Sequence, residues 1–235
     1  MSKHFTGHKL SHGLIYDYSD NEFPSILHGF TSEDQLLLEN ESSTYYGYVQ
    51  SGVAYLYIKE VSYPLLPGMY FSVNGKSDAF IIGGCGIVVE RIEHSGVTII
   101  GGPIEQSGRL KYIDGCTDSL LIPPVKMGDP CFNALYFPKG IDQTMHTHPS
   151  MRVGIVTKGE GVCITPDEKI QLKPGTVFII HPEGEHKFRT IDKEMVVIAY
   201  HPDSDYGPVD QFHPMINRTI VKGISANSLP EIQTK

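Results

Sequence analysis

Short runs of β-branched and aromatic residues recur along the chain, each closed by Gly, Pro, Asn or Asp. In the first half they fall at 45–49, 53–58, 69–73, 79–82, 86–92 and 97–100. In the second half they fall at 134–137, 151–157, 161–164, 176–180 and 195–200. Short strands at near-regular spacing with turn signals between them predict an all-β sandwich or barrel, not alternating strand–helix units. Helical patterning is confined to residues 32–38 and to the tail beyond Gly223.

The pattern repeats. YVQSGVAYL followed by LLPGMYFSV in the first half corresponds to IVTKGEGVC followed by LKPGTVFII in the second. Gly52 matches Gly159, Pro67 matches Pro174 and Gly68 matches Gly175, each pair 107 positions apart. Two turn glycines and a proline at one offset predict two similar β units, roughly 1–110 and 111–235. The boundary is expected within 101–115 or within 122–130, and no Ser/Gly tract of linker type suggests a free hinge.

The chemistry concentrates in the second unit. Residues two apart in a strand face the same way, so His146 and His148 aim both imidazoles into one space. An H-x-H pair alone is often two exposed strand residues. Here the segment opening at Gly175 and bending at Pro182 and Gly184 supplies a third imidazole, His186. Neutral imidazole suits Fe, Zn, Ni, Cu or Mn, so one divalent transition metal is expected and its identity stays open. His181 reads as a rim residue, and His201, at the end of a strand, as a capping group or one facing the pocket. His4, His8 and His12 read as surface residues.

These segments resemble the two motifs of the cupin superfamily. Gly140, His146, His148 and Gly159 fall on the first motif. Gly175, Pro182, Gly184 and His186 fall on the second, with the proline one place late and the glycine-to-histidine gap one residue short. The resemblance implies two tandem cupin barrels (double-stranded β-helix, or jelly-roll). The N-terminal one would be degenerate and the C-terminal one metal-binding. Where the first motif carries a glutamate ligand, this chain has Arg152, whose guanidinium does not ligate metal. The site therefore resembles the three-histidine cupins. Arg152 is expected to pair with a carboxylate or enolate of a bound ligand, with Asp142, Glu183 and Glu185 as alternative oxygen ligands. Subtracting 107 places Glu39, Glu41, Tyr45 and Ala79 at the positions of His146, His148, Arg152 and His186, so the first unit carries no histidine cluster.

Composition narrows the function. A formal charge of -8 with no run of Lys or Arg argues against nucleic acid or an anionic membrane as partner. The first twenty residues lack the apolar core of a secretory signal, and no apolar stretch approaches the ~20 residues of a membrane helix. The four cysteines form no C-x-x-C pair and are expected to be reduced in a cytoplasmic protein. A homodimer is expected from the exposed edges of such sandwiches. Two classes of function stay open. One is an enzyme acting on a small organic molecule, with Arg152 and His201 as catalytic groups. Its reaction would be a mononuclear iron dioxygenase's, or a non-redox isomerisation, cyclisation or hydrolysis. The other is a non-catalytic barrel that binds a small molecule such as a sugar. The polar, aromatic tail 205–219 is expected to act as a lid over a barrel mouth or as a packing arm.

Overall fold

The structure, a computed structural model, describes residues 3–32, 34–204 and 214–232. In the first half the strands are β1 (Phe5–Lys9), β2 (Gly13–Tyr18), β3 (Ser25–Phe30), β4 (Leu36–Leu38), β5 (Thr44–Ile58), β6 (Val61–Leu65), β7 (Tyr70–Asn74), β8 (Ala79–Arg91) and β9 (Ile99–Gly101). Next come β10 (Leu110–Lys111), β11 (Thr117–Ile122), β12 (Cys131–Phe137), β13 (Arg152–Gly159), β14 (Gly161–Ile164), β15 (Lys169–Leu172), β16 (Thr176–Ile180), β17 (Lys187–Arg189) and β18 (Met195–His201). A five-residue helix α1 (Pro214–Arg218) and the small hairpin of β19 (Ile220–Val221) and β20 (Ile224–Ser225) follow. The architecture is all-β. Within the stretch 32–38 expected to be helical, residues 36–38 form strand β4 instead, with Leu38 buried opposite Ala79. Most of the expected lid, 205–213, lies outside the described residues.

The two halves pair their strands alike. One sheet runs β2-β3-β8-β5-β7-β9, and the other runs β11-β12-β18-β13-β16-β1, extended by β10 beyond β11. Neither sheet closes on itself. The hairpin of β5 with β6 corresponds to that of β14 with β15. The repeat holds at atomic detail. Gly52 and Gly159 both take φ 69°, and Gly68 and Gly175 take φ 88° and 84°, a left-handed conformation that favours glycine. The Gly68 amide donates to the Val49 carbonyl and the Gly175 amide to the Val156 carbonyl, both at 2.9 Å.

β1 departs from a simple tandem. Residues 5–9 pair with β16, in the sheet of the second half. The expectation that His4 lies on the surface is overturned: it is 7% exposed and its ring and carbonyl are bound to the second half. His8 and His12 are half-buried. The halves share a core in which Leu27, Tyr48 and Ile87 pack with Phe132, Ile155 and Ile198. Across it, the Tyr48 hydroxyl bonds the Thr157 hydroxyl at 2.6 Å.

Each half also has an interior of its own. The first is filled by Phe30, Leu38, Tyr45, Val73, Ala79 and Val88. Its polar end is satisfied internally. Glu90, 6% exposed, accepts from Asn40 at 2.7 Å and from the Ser43 hydroxyl at 2.6 Å, and lies 3.5 Å from His28. Burial alone would raise its pKa, but the hydrogen bonds from His28, Ser43 and Asn40 outweigh that and hold it below 4.5.

Truncating the shared core by Phe132→Ala should cost about 3–5 kcal/mol. Both halves should still melt in one cooperative transition, and two separate transitions in calorimetry would contradict a common core. Glu90→Gln should cost about 1–3 kcal/mol at neutral pH, the loss of a buried acceptor with its donors in place. Because the folded pKa lies below the unfolded one, the ionised Glu90 stabilises the fold above pH 4.5, and that contribution is lost as pH falls through the folded value. Urea titrations should therefore show the gap between wild type and variant narrowing in acid; a gap constant with pH would refute the assignment.

Candidate metal centre

The candidate site forms where residues 141–146 run antiparallel to 186–190. The His146 and His186 amides exchange bonds with each other's carbonyls, both at 3.0 Å, and the Gln143 amide donates to the Phe188 carbonyl. The turn through Pro182 and Gly184 delivers His186 to this position. The Gly184 amide donates to the His181 carbonyl, and a Cβ on Gly184 would lie 2.4 Å from the His4 carbonyl oxygen, so only glycine fits. The Glu183 amide donates to the His148 carbonyl at 2.7 Å, tying the turn to the first pair of histidines.

The three imidazoles converge. One ligand nitrogen from each of His146, His148 and His186 lies within 4.8 Å of the others. Ring centroids are 4.5 Å apart for His146 and His186, 5.1 Å for His146 and His148, and 5.3 Å for His148 and His186. Backbone carbonyls set two of the tautomers. His146 Nδ1 donates to the Thr144 carbonyl at 2.7 Å and His186 Nδ1 to the Gly184 carbonyl at 2.8 Å. A carbonyl only accepts, so each Nδ1 carries the proton and each Nε2 keeps its lone pair in the neutral ring. His186 is fully buried and its Nε2 has no hydrogen-bond partner. Burial, then the charge of Arg152, pushes the His148 pKa down to about 3. Burial pushes that of His186 down to about 4 against the opposing pull of the Gly184 carbonyl. An unpaired, buried lone pair converging with two further imidazoles is what a divalent transition metal requires, so these residues fit one.

The other expected residues share the cavity. A space of about 20 Å³ lies among His148, His186, Arg152, His201, Tyr112 and the apolar floor of Phe178 and Phe188. Arg152 and His201 thus line the space beside the histidine cluster. Burial and the nearby guanidinium hold His201 well below its ordinary pKa. The Arg152 Nη1 donates to the carbonyls of Ser150 and Met151 at 3.1 and 2.9 Å and lies 3.4 Å from the Asp203 carboxylate. Its buried Nε has no acceptor. Ser150 donates to Asp203 as well.

None of the alternative oxygen ligands joins the cluster among the described residues. Asp142 is 2.8 Å from the Lys187 ammonium and Glu183 accepts from Thr147. His181 bonds Thr6 at 2.7 Å and stacks near Tyr18, outside the cluster. The sequence reading missed Ser150, Asp203 and Tyr112, which meet Arg152 only through tertiary packing and carry no motif. A larger cleft of about 510 Å³, bordered by Tyr70, Ile104 and Leu121, shares none of the site's residues. Its charged lining groups, Glu105 and Arg109, pair with each other.

In the first half the same positions carry other side chains. Leu38 faces Ala79 as His146 faces His186, so Leu38 holds the place of His146, one residue from the Glu39 expected by offset. The strand register puts Tyr45 and Glu90 where the second half has Arg152 and His201.

Comparison with known proteins agrees with this geometry. No curated protein matches the chain. A putative glyoxylate induced protein from Pseudomonas aeruginosa is similar in structure, at 12% identity and a TM-score of 0.62, over 88% of this chain and 83% of that one. A cupin 2 conserved barrel domain protein from Leptotrichia buccalis is similar at 13% identity and a TM-score of 0.56, covering 85% and 90%. Salicylate 1,2-dioxygenase from Pseudoaminobacter salicylatoxidans, in its adduct with gentisate, is similar at 9% identity and a TM-score of 0.58, covering 76% and 67%. Residues 135–201, which contain all three histidines, Arg152 and His201, match the cupin domain family, and the chain as a whole has the cupin fold.

Proposed function

We propose that this protein is a metal-dependent enzyme acting on a small anionic organic molecule. In this reading it consists of two tandem jelly-roll barrels, 1–110 and 111–235, the first degenerate and the second bearing the metal. His146, His148 and His186 hold one divalent transition metal, and Arg152 and His201 act on the ligand beside it. The observation that carries the proposal is the buried, unpartnered Nε2 of His186 converging with two further imidazoles.

When bound, the metal supplies Lewis acidity and, if it is iron, redox chemistry. The chain supplies orientation. The Thr144 and Gly184 carbonyls fix the His146 and His186 rings. Arg152 offers its unmet Nε–H to an anionic oxygen, while Asp203 and the Ser150 and Met151 carbonyls hold its other end. His201, kept neutral, can accept a proton or hydrogen bond from the ligand. A dioxygenase-type reaction with iron is the favoured chemistry. The salicylate dioxygenase of similar fold, characterised as a gentisate adduct, supports it. One observation favours a second, non-redox reading as isomerase, cyclase or hydrolase. The cavity of about 20 Å³ has room for a water molecule but not for an aromatic ring.

Purified protein expressed with metal supplementation should contain close to one equivalent of metal, and His148→Ala should fall below about one-tenth of an equivalent with its fold intact. Full metal in that variant would end the proposal. With iron(II) loaded, oxygen uptake across phenols, diketones and thiols separates the two reactions, since no uptake with any substrate class leaves the non-redox one. Arg152→Lys keeps a cation beside Asp203 and removes the Nε–H. It should retain metal and weaken binding of carboxylate ligands by about 10–100-fold, the worth of one charge-assisted hydrogen bond. Unchanged affinity in calorimetric titration would remove Arg152 from the binding role.

A further inference from the structure

The two halves differ on a surface that contributes no residue to the candidate site. In the first half, β4, β8, β5 and β6 lie side by side, and the strand positions 36–38, 53–58, 61–65 and 79–82 contain no Asp, Glu, Lys or Arg. Residues two apart share a face. In the inward row, Ala54, Leu56, Leu65 and Ile81 are fully buried. The outward row holds Val53, Tyr55 and Tyr57 on β5, Phe80 and Ile82 on β8, and Pro64 on β6. Tyr55 is 43% and Val53 44% exposed. Tyr57 and Phe80 stack face to face, with centroids 4.6 Å apart and planes within 9°.

The second half supplies a control for this surface. Its β14, β15 and β17 repeat the pairing at the same offset, with Val162 opposite Gln171 and Arg189 as Tyr55 is opposite Pro64 and Ile82. There the outward positions hold Glu160, Val162, Ile164, Gln171, Lys187 and Arg189. The same place in the fold is charged and solvated in one half, and apolar and aromatic in the other. A solvated outer face therefore needs no such side chains, and the first half's face is built to be covered.

We infer that this face is the twofold interface between two copies of the chain. Large side chains each present roughly 150–250 Å² when free, so at the observed exposures the outward row offers roughly 350 Å² per copy. Two such faces supply about 700 Å² of apolar surface, the apolar share of an interface of about 1,200 Å², at the lower end of the range for specific contacts. With a formal charge of -8, two copies repel one another through most of their surfaces. An uncharged face lets them meet without desolvating an ion, and a face that is apolar throughout is complementary to itself, as a twofold contact demands. Pro64 lacks an amide hydrogen, which disfavours edge-to-edge strand pairing and leaves face-to-face packing.

Sedimentation velocity of the full-length protein at micromolar concentration should give twice the 26.1 kDa chain mass. Writing the second half's residues into the first, as Phe80→Lys with Ile82→Arg, should weaken association by at least about 30-fold and give the monomer mass. Val53→Glu alone, at a more exposed position, serves the same purpose should the double variant fail to fold. Both should keep wild-type metal content, which separates this test from that of the metal centre. A wild type that sediments as a monomer overturns the inference, including the case in which another protein or another segment of this chain covers the face. So does a dimer that persists in every folded variant.

Discussion

Three imidazoles brought to one point are the constraint around which the second half is arranged. Each Nδ1 that finds a backbone carbonyl commits its proton there and turns the Nε2 lone pair to the centre, as at His146 and His186. Leaving such a nitrogen buried and unpaired costs free energy, and the fold accepts this at His186. The surrounding structure enforces it. Gly184 admits the His4 carbonyl at a distance no side chain would tolerate, and His4 itself is placed by β1 pairing with β16. The N-terminal strand thus acts as a brace behind the turn that carries the third histidine.

The same pairing scheme occurs in the first half without that constraint, and the contrast isolates what matters. At the equivalent places stand Leu38, Tyr45, Ala79 and Glu90. The first three enter the apolar interior, and Glu90 is satisfied by Asn40 and Ser43 with His28 beside it. In one half the Glu90 carboxylate is met by Asn40 and Ser43, while in the other the His186 Nε2 and the Arg152 Nε beside the cavity are unmet. The fold is indifferent to the choice; a handful of side chains decide whether the interior is filled or open to a ligand. The outer surfaces diverge in the opposite sense, with charge on the half that carries the chemistry and apolar side chains on the half that does not.

Arg152 links the centre to the chain beyond the last large strand. Its Nη1 is held by Ser150, Met151 and Asp203, and Asp203 follows directly on β18. The Arg152–Asp203 pair is partly buried and works together with the two carbonyl bonds. The guanidinium is therefore fixed in place before any ligand arrives, which reduces the ordering cost of binding.

The sequence by itself determined the all-β class, the repeat at its single offset, and the three histidines with Arg152. These are legible because strand period and turn glycines are local, and a side chain's ability to ligate metal is its own property. Tertiary structure alone decided that β1 joins the second half's sheet, that Leu38 and not Glu39 stands in for His146, and that residues 36–38 form a strand. It alone brought Ser150, Asp203 and Tyr112 to the site. Each of these depends on pairing or burial between residues far apart in the chain. No local pattern records such contacts, because a strand's register is set by what it packs against.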